Sequence, residues 1–203
     1  MKLYNSMGPN PKVVRMFMAE AGIECERHEL DVVGGENRQS DFLERNPTGT
    51  SPALELDDGT VISEITAICE YMAENSGGSS LIGETPEERA VIRMWSRRID
   101  LAIAENLTNG FRYSEGLSFF EGRITTIPEA AASLKALAQE KITWLDGLLA
   151  DKEFVTGDSF SFADILLFSF LEFGAQVGQP LNEKNKNIMA WYERVNARPS
   201  STA

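Results

Sequence analysis

The chain has 203 residues and a formal net charge of −12, room for one large domain or two small ones. That acidic balance, without clustered Lys and Arg, excludes nucleic acid as a partner. No apolar run reaches membrane-spanning length, so no membrane partner is expected either. Met1-Lys-Leu-Tyr runs straight into a strand-like segment, which predicts no secretory leader and a cytoplasmic location. The two cysteines, Cys25 and Cys69, each fall within a regular element and are read as thiols rather than a disulfide. One histidine and no Cys-x-x-Cys pair leave no expected metal site. That histidine, His28, lies in the alternating stretch Glu26–Leu30, which argues against a Ser-His-Asp triad.

Lys2–Asn5 predicts a short strand, and Pro11–Ala21 a helix with Val13, Val14, Phe17, Met18 and Ala21 on one face, stopped by Gly22. Glu26–Val32 follows as a second strand, parallel to the first across the helical crossover. A Gly-rich turn leads to a short helix around Ser40–Arg45. Two further strands, Pro52–Leu56 and Thr60–Ile62, are joined by the hairpin signal Asp57-Asp58-Gly59. A helix over Glu64–Glu74 closes the unit. The order βαβ-α-ββ-α predicts a thioredoxin-like α/β domain over residues 1–76. After a polar linker at 77–85, residues 86–203 predict an all-α helical bundle. Its first helix starts at Pro86, behind Thr85 and ahead of Glu87-Glu88, and extends to about Gly116. Further helices are expected over Pro128–Ala150, from Ser161, and over Lys186–Ala197. In the third, Ser161 and Asp164 have capping-box spacing, giving Asp164 a structural role, and Trp191 reads as core. Glu20 reads as solvated surface.

A proline that opens a strand cannot donate to the ladder. A cis Ser51-Pro52 bond would turn the Ser51 main chain outward, where an extended ligand can pair with it. Eleven residues beyond Pro52, Ser63-Glu64 stands at a helix start whose free N–H groups attract an anion. Together these suit a small peptide bearing a carboxylate and an amine.

Three segments carry a family likeness: Thr50-Ser-Pro-Ala-Leu with Ser63-Glu64, Ala67-Ile68 and Tyr71; Gly157-Asp-Ser-Phe-Ser-Phe-Ala-Asp164; and Ala190-Trp-Tyr-Glu-Arg-Val-Asn-Ala-Arg-Pro199. At their spacing the chain resembles the cytosolic glutathione transferases of bacterial type, nearest to the nu, beta and theta-like classes. The resemblance implies an enzyme that ionises the glutathione thiol for attack on a small apolar or aromatic electrophile. It also implies glutathione as co-substrate with no metal, a homodimer, and a role in detoxification. Two alternatives stay open: glutathione-dependent disulfide reduction, as in the nu class, and a binding protein without turnover.

For the thiol donor, the resemblance aligns Tyr4 with the tyrosine of the alpha, mu and pi classes. Gly8 falls where other classes place a serine or threonine. Asn10 falls at the asparagine of the nu class, within Pro9-Asn10-Pro11, and Ser6 is a hydroxyl two residues from the family's serine position. Asn10 also reads as a helix cap with Pro11 in the first helical position. A side-chain oxygen that caps leaves the amide free to donate, so both roles can coexist. Ser51, with Pro52 behind it, would pair with the cysteinyl segment. Glu64 would bind the γ-glutamyl amine, and the helix start at Ile65, where the family more often has serine, its carboxylate. Asn37, Arg38 and Gln39 fall near the glycyl-carboxylate positions, or form a solvated polar loop. Phe111, Arg112 and Tyr113, with Phe119 and Phe120 nearby, would line the electrophile pocket.

Overall fold

Side-chain alternation in the first strand sorts the first part of the molecule into two layers. The computed structural model describes residues 1–203. It divides into two compact units, Met1–Glu84 with Pro199–Ala203, and Thr85–Arg198. In the first unit, β1 (Lys2–Asn5) leads into α1 (Pro9–Ala21), β2 (Glu26–Glu29), a 3-10 turn at Glu36–Arg38, α2 (Ser40–Leu43), β3 (Ala53–Glu55), β4 (Val61–Ser63) and α3 (Ile65–Asn75). The sheet order is β2-β1-β3-β4, with β1 and β2 parallel and the other pairs antiparallel. This is the expected thioredoxin-like order: β1 has the expected bounds, β2 and β3 are shorter than expected, and β4 is shifted by one residue. Tyr4 faces a cluster with Leu30, Ala53 and Phe42 of α2. Leu3 and Leu54, fully buried and paired across the sheet, point to the opposite face. Asn5 shares that second face and is hydrogen-bonded to Arg15, which places α1 there.

The unit includes more chain than the sequence predicts. Ser79 caps a 3-10 turn at Ser80–Ile82 whose Leu81 and Ile82 are buried, so much of the expected linker is ordered within this unit. The last five residues pack on α1, where the Ser200 hydroxyl donates to the Glu20 carboxylate. Glu20, read from sequence as solvated, therefore holds the C-terminus. Both thiols are free, as expected, and burial raises the Cys69 pKa well above its usual range.

In the second unit, Thr85 and Glu88 form a full capping box ahead of α4 (Pro86–Ile99). A π-helical turn at Asp100–Ala104 continues into α5 (Glu105–Arg112). The long first helix is thus present but ends at Arg112 rather than near Gly116. Ser114 Oγ donates to the Gly110 carbonyl and Gly116 N–H to that of Phe111, closing the turn before α6 (Leu117–Phe120). Then come α7 (Ala131–Leu148), α8 (Phe162–Gln176) and α9 (Lys186–Asn196).

This unit is organised around one buried carboxylate. Asp164 reaches back to the Ser161 N–H at 3.0 Å, as the capping box predicts, and also accepts the Ser161 hydroxyl at 3.0 Å. Its other oxygen accepts the Val155 N–H and the Trp191 indole N–H, both at 2.8 Å. The second and third family-like segments are therefore joined through one side chain. Burial pushes the Asp164 carboxyl up to about 6, against the pull of the four donors.

Stranding a buried donor costs about 1–3 kcal/mol, and Asp164→Ala strands several. Chemical denaturation should show a loss of at least about 3 kcal/mol. The pH dependence has a defined sign. With its folded-state pKa raised above the usual carboxylate value, the Asp164 contribution is full below about pH 4 and is lost as pH rises through about 6. The difference in unfolding free energy between the wild type and Asp164→Asn should shift over that window and be flat above it.

Candidate active site

Strand register brings three distant segments to one end of the sheet. Tyr4 pairs with Ala53 and Ala53 with Ser63. Continuing both antiparallel pairs outward by two residues sets Ser6 beside Ser51 and Ser51 beside Ile65. The first of these juxtapositions is a hydrogen bond, Ser6 Oγ to Ser51 Oγ at 2.9 Å. The turn before α1, the loop before β3 and the start of α3 therefore meet.

The turn before α1 has few donors. The helix begins at Pro9, and the capping position is Gly8, with φ 106° and no side chain to cap with. This corrects the reading of Asn10 as the cap. Asn10 is the second helical residue, and Pro11 the third rather than the first. Pro9 and Pro11 have no N–H, and Lys12 N–H is bonded to the Gly8 carbonyl at 3.3 Å. Within the first helical turn only Asn10 offers free donors, its main-chain N–H and its half-buried side-chain amide. Gly8 also explains the missing hydroxyl. A Cβ there would meet nothing within 4 Å, yet its backbone conformation is one that residues with side chains rarely adopt. Ser6 is buried, and its hydroxyl faces Ser51 Oγ, with the Met7 carbonyl 3.2 Å away.

Tyr4 is placed away from this turn. Its ring packs edge-on to Phe42 and His28, and its hydroxyl donates to Glu55 Oε2 at 2.5 Å. Burial and the neighbouring Glu55 carboxylate raise its pKa. Both effects hold the proton on the phenol and occupy it with Glu55. His28 is likewise engaged, with Nε2 2.6 Å from Glu36 Oε1.

The loop before β3 contains the expected cis Ser51-Pro52 bond. Neither the N–H nor the C=O of Ser51 takes part in the sheet or in any other backbone bond. The loop is braced from behind. Asn46 Nδ2 donates to the Thr50 carbonyl at 2.8 Å, and Asn37 Nδ2 to the Gly49 carbonyl at 2.6 Å. Asn37 is buried, so it supports the loop from within rather than presenting its amide to solvent. Arg38 is exposed, with Nη1 3.5 Å from the Thr48 carbonyl. Gln39 is exposed beside it on the same edge.

At the third segment Glu64 precedes α3 with φ 74° and ψ 122°, and no other non-glycine residue has a positive φ. Strain of this kind costs about 1–3 kcal/mol and clusters at binding sites. The twist leaves the Glu64 carboxylate exposed at the helix mouth, where the N–H groups of Ile65, Thr66 and Ala67 lack helical partners. The Ile65 side chain is buried, so isoleucine here serves the core and contributes only its N–H to the mouth. Thr66 supplies the first hydroxyl of the helix, one position beyond the family's serine.

In the second unit, Phe111 packs edge-on to Phe120 and Phe173, at 6.1 and 5.2 Å. Arg112 donates to Asn109 Oδ1 at 3.1 Å and lies over the Phe120 ring. Tyr113 is half-buried just past the end of α5. Phe111 and Arg112 thus belong to a packed aromatic cluster.

The fold is an α/β thioredoxin-like unit with a helical unit, and the comparisons with known proteins agree with it. Residues 8–75 match the glutathione S-transferase N-terminal domain and residues 115–199 the C-terminal domain. Glutathione S-transferase 2 of Saccharomyces cerevisiae is 34% identical over 195 residues, 95% of this chain and 84% of that protein. The crystal structure of Gtt2 from Saccharomyces cerevisiae superposes with a TM-score of 0.93, at 34% identity, covering 100% of this chain and 99% of that one. A glutathione S-transferase domain-containing protein of Marinobacter aquaeolei gives the same TM-score at 37% identity, over 98% and 99% of the two chains. The chain belongs to the glutathione S-transferase family.

The strain at Glu64 is directly measurable. Glu64→Gly should raise the unfolding free energy by about 1 kcal/mol, because glycine adopts this conformation freely. An unchanged or lowered value in chemical denaturation would show that the conformation is not strained.

Proposed function

We propose that this chain is a glutathione S-transferase that holds glutathione along Ser51 and at the mouth of α3, and ionises its thiol at the Ser6–Pro11 turn. The observation that supports this most is the gathering of those three segments at one sheet end by strand register. The unpaired Ser51 main chain takes the cysteinyl segment as an added strand. Glu64 takes the γ-glutamyl amine, and the amides at Ile65–Ala67 its carboxylate. Arg38 and Gln39 take the glycyl carboxylate.

A free thiol has a pKa of about 8.5, and lowering it by two units requires about 2.7 kcal/mol of preference for the thiolate. One hydrogen bond to a charged group supplies about 1.5–3 kcal/mol, so a single donor nearly suffices. Asn10 is that donor, because its side-chain amide is uncommitted at a helix start where Pro9 and Pro11 offer no N–H. Ser6 acts behind it, through Ser51. The thiolate attacks an apolar or aromatic electrophile, and proximity adds to the rate. The same reading carries cytoplasmic residence, a role in detoxification and a two-fold homodimer. α4, with Val91 and Met94 exposed along it, and the π-helical turn after it, with Leu101 exposed, support the last.

Wild-type protein should be retained on immobilised glutathione and Glu64→Ala should flow through; a wild type that flows through would sink this reading. With a chloronitrobenzene as electrophile, Asn10→Ala should lower kcat by about 10–100-fold, the loss of about 1.5–3 kcal/mol. Ser6→Ala should lower it less, and the reverse order would move the donor to Ser6. Sedimentation should give twice the 22.5 kDa chain mass.

A further inference from the structure

Arg15 is a half-buried cation in a helical stretch that is otherwise apolar, between the buried Val13 and Val14 and the buried Met16 and Phe17. Burying part of a guanidinium is costly unless its donors are used. Arg15 Nη1 donates to Asn5 Oδ1 at 2.9 Å and to the Ser6 main-chain carbonyl at 3.1 Å. Asn5, itself 3% exposed, donates through Nδ2 to both oxygens of Glu29, at 2.8 and 2.7 Å. The Asn5 amide is therefore held between a cation at its oxygen and a carboxylate at its nitrogen, each end strengthening the other. Three elements are joined in this way: α1 through Arg15, β1 through Asn5 and β2 through Glu29.

The Ser6 carbonyl matters most for function. It fixes the peptide plane between Ser6 and Met7, where the chain leaves β1 and enters the turn through Gly8 to Asn10. Ser6 has no sheet partner of its own. Its orientation is fixed by Arg15 at the carbonyl and by Ser51 at the hydroxyl. We propose that Arg15 is a positioning residue that, with Asn5, sets the Ser6–Asn10 turn and so aims the thiol donor. The rigid guanidinium plane suits this role, because it fixes the directions of the two N–H groups on Nη1, which serve a side-chain oxygen and a main-chain oxygen at once. The inference rests on the reading that this turn ionises glutathione.

The test compares Arg15→Ala, Arg15→Lys, Asn5→Ala and the double variant Asn5→Ala/Arg15→Ala in the full chain. Supporting residues of this kind are worth about 10–100-fold in activity. Arg15→Ala should lower kcat by that factor, with the glutathione KM changed less than about threefold. The thiolate absorbance of bound glutathione should titrate about one unit higher in pH, a tenfold shift in the ionisation constant. Because the two residues act as one unit, the double variant should be no slower than the worse single variant. Arg15→Lys keeps the charge but loses the fixed donor directions of the guanidinium plane, and should recover kcat only in part. Full recovery by Arg15→Lys, an unchanged kcat in Arg15→Ala, or losses that multiply in the double variant would each overturn the proposal.

A ligand-free measurement separates this from the functional reading. Hydrogen exchange at the Lys12 amide, which bonds the Gly8 carbonyl, should quicken at least about tenfold in Arg15→Ala. An unchanged rate overturns the positioning role even if the wild type binds glutathione. A quickened rate in a protein that does not bind glutathione upholds the bracing of the turn and rejects the thiol chemistry instead.

Discussion

A strand presents each side chain to one face of its sheet, and in β1 that alternation decides where the chemistry can be. Leu3 faces the layer that holds α1, Tyr4 faces Phe42 and Glu55, and Asn5 faces α1 again. Tyr4 is therefore drawn into a packed cluster with its hydroxyl on a carboxylate. A donor for a ligand at the sheet end has to come from beyond the strand, in the turn that Gly8 opens. The same alternation gives Asn5 its place between Arg15 and Glu29. One period-two pattern thus withdraws the tyrosine and anchors the turn proposed to supply the donor.

The site is assembled by register and kept in place by local cost. Antiparallel pairing of β1 with β3 and of β3 with β4 carries Ser6, Ser51 and Ile65 to neighbouring positions. Behind them, Asn37 and Asn46 hold the carbonyls of Gly49 and Thr50, which sets the outward path of Ser51. Glu64 sits in a backbone conformation that a glutamate does not choose freely. Strain of this kind persists where the surrounding structure imposes it, here the end of β4 and the buried Ile65 that follows. The first unit carries its backbone strain where ligand groups would be met, whereas the second unit concentrates its donors on a single carboxylate, Asp164, out of reach of solvent.

Much of the fold was legible in the residues because its signals are local. Helical periodicity, the Asp57-Asp58-Gly59 hairpin, the Thr85 and Ser161 caps and the strand-opening Pro52 each act within a few positions. The exceptions are instructive. Asn10 and Pro11 have the chemistry of a helix start, but Pro9 is equally suited to the first helical position and Gly8 can turn the chain before it. The helix therefore begins two residues earlier than the cap signal implies. Asn37 lies in a polar run that reads as surface, and only the loop folding over it buries its amide. Glu20 finds its partner 180 residues away, at Ser200, where no local pattern could reveal it. Arg15 and Asn5 carried a readable sign, a charge among apolar helix positions, but its meaning depends on the parallel pairing that brings Glu29 alongside Asn5.

The most direct test of the account is a crystal structure with glutathione bound. The predicted result has the cysteinyl segment paired with the Ser51 main chain and the γ-glutamyl group at Glu64 and the start of α3. An Asn10 nitrogen should lie within about 3.5 Å of the sulfur, with the Tyr4 hydroxyl still on Glu55. A sulfur bonded to Tyr4, or glutathione bound away from Ser51 and Glu64, would contradict it.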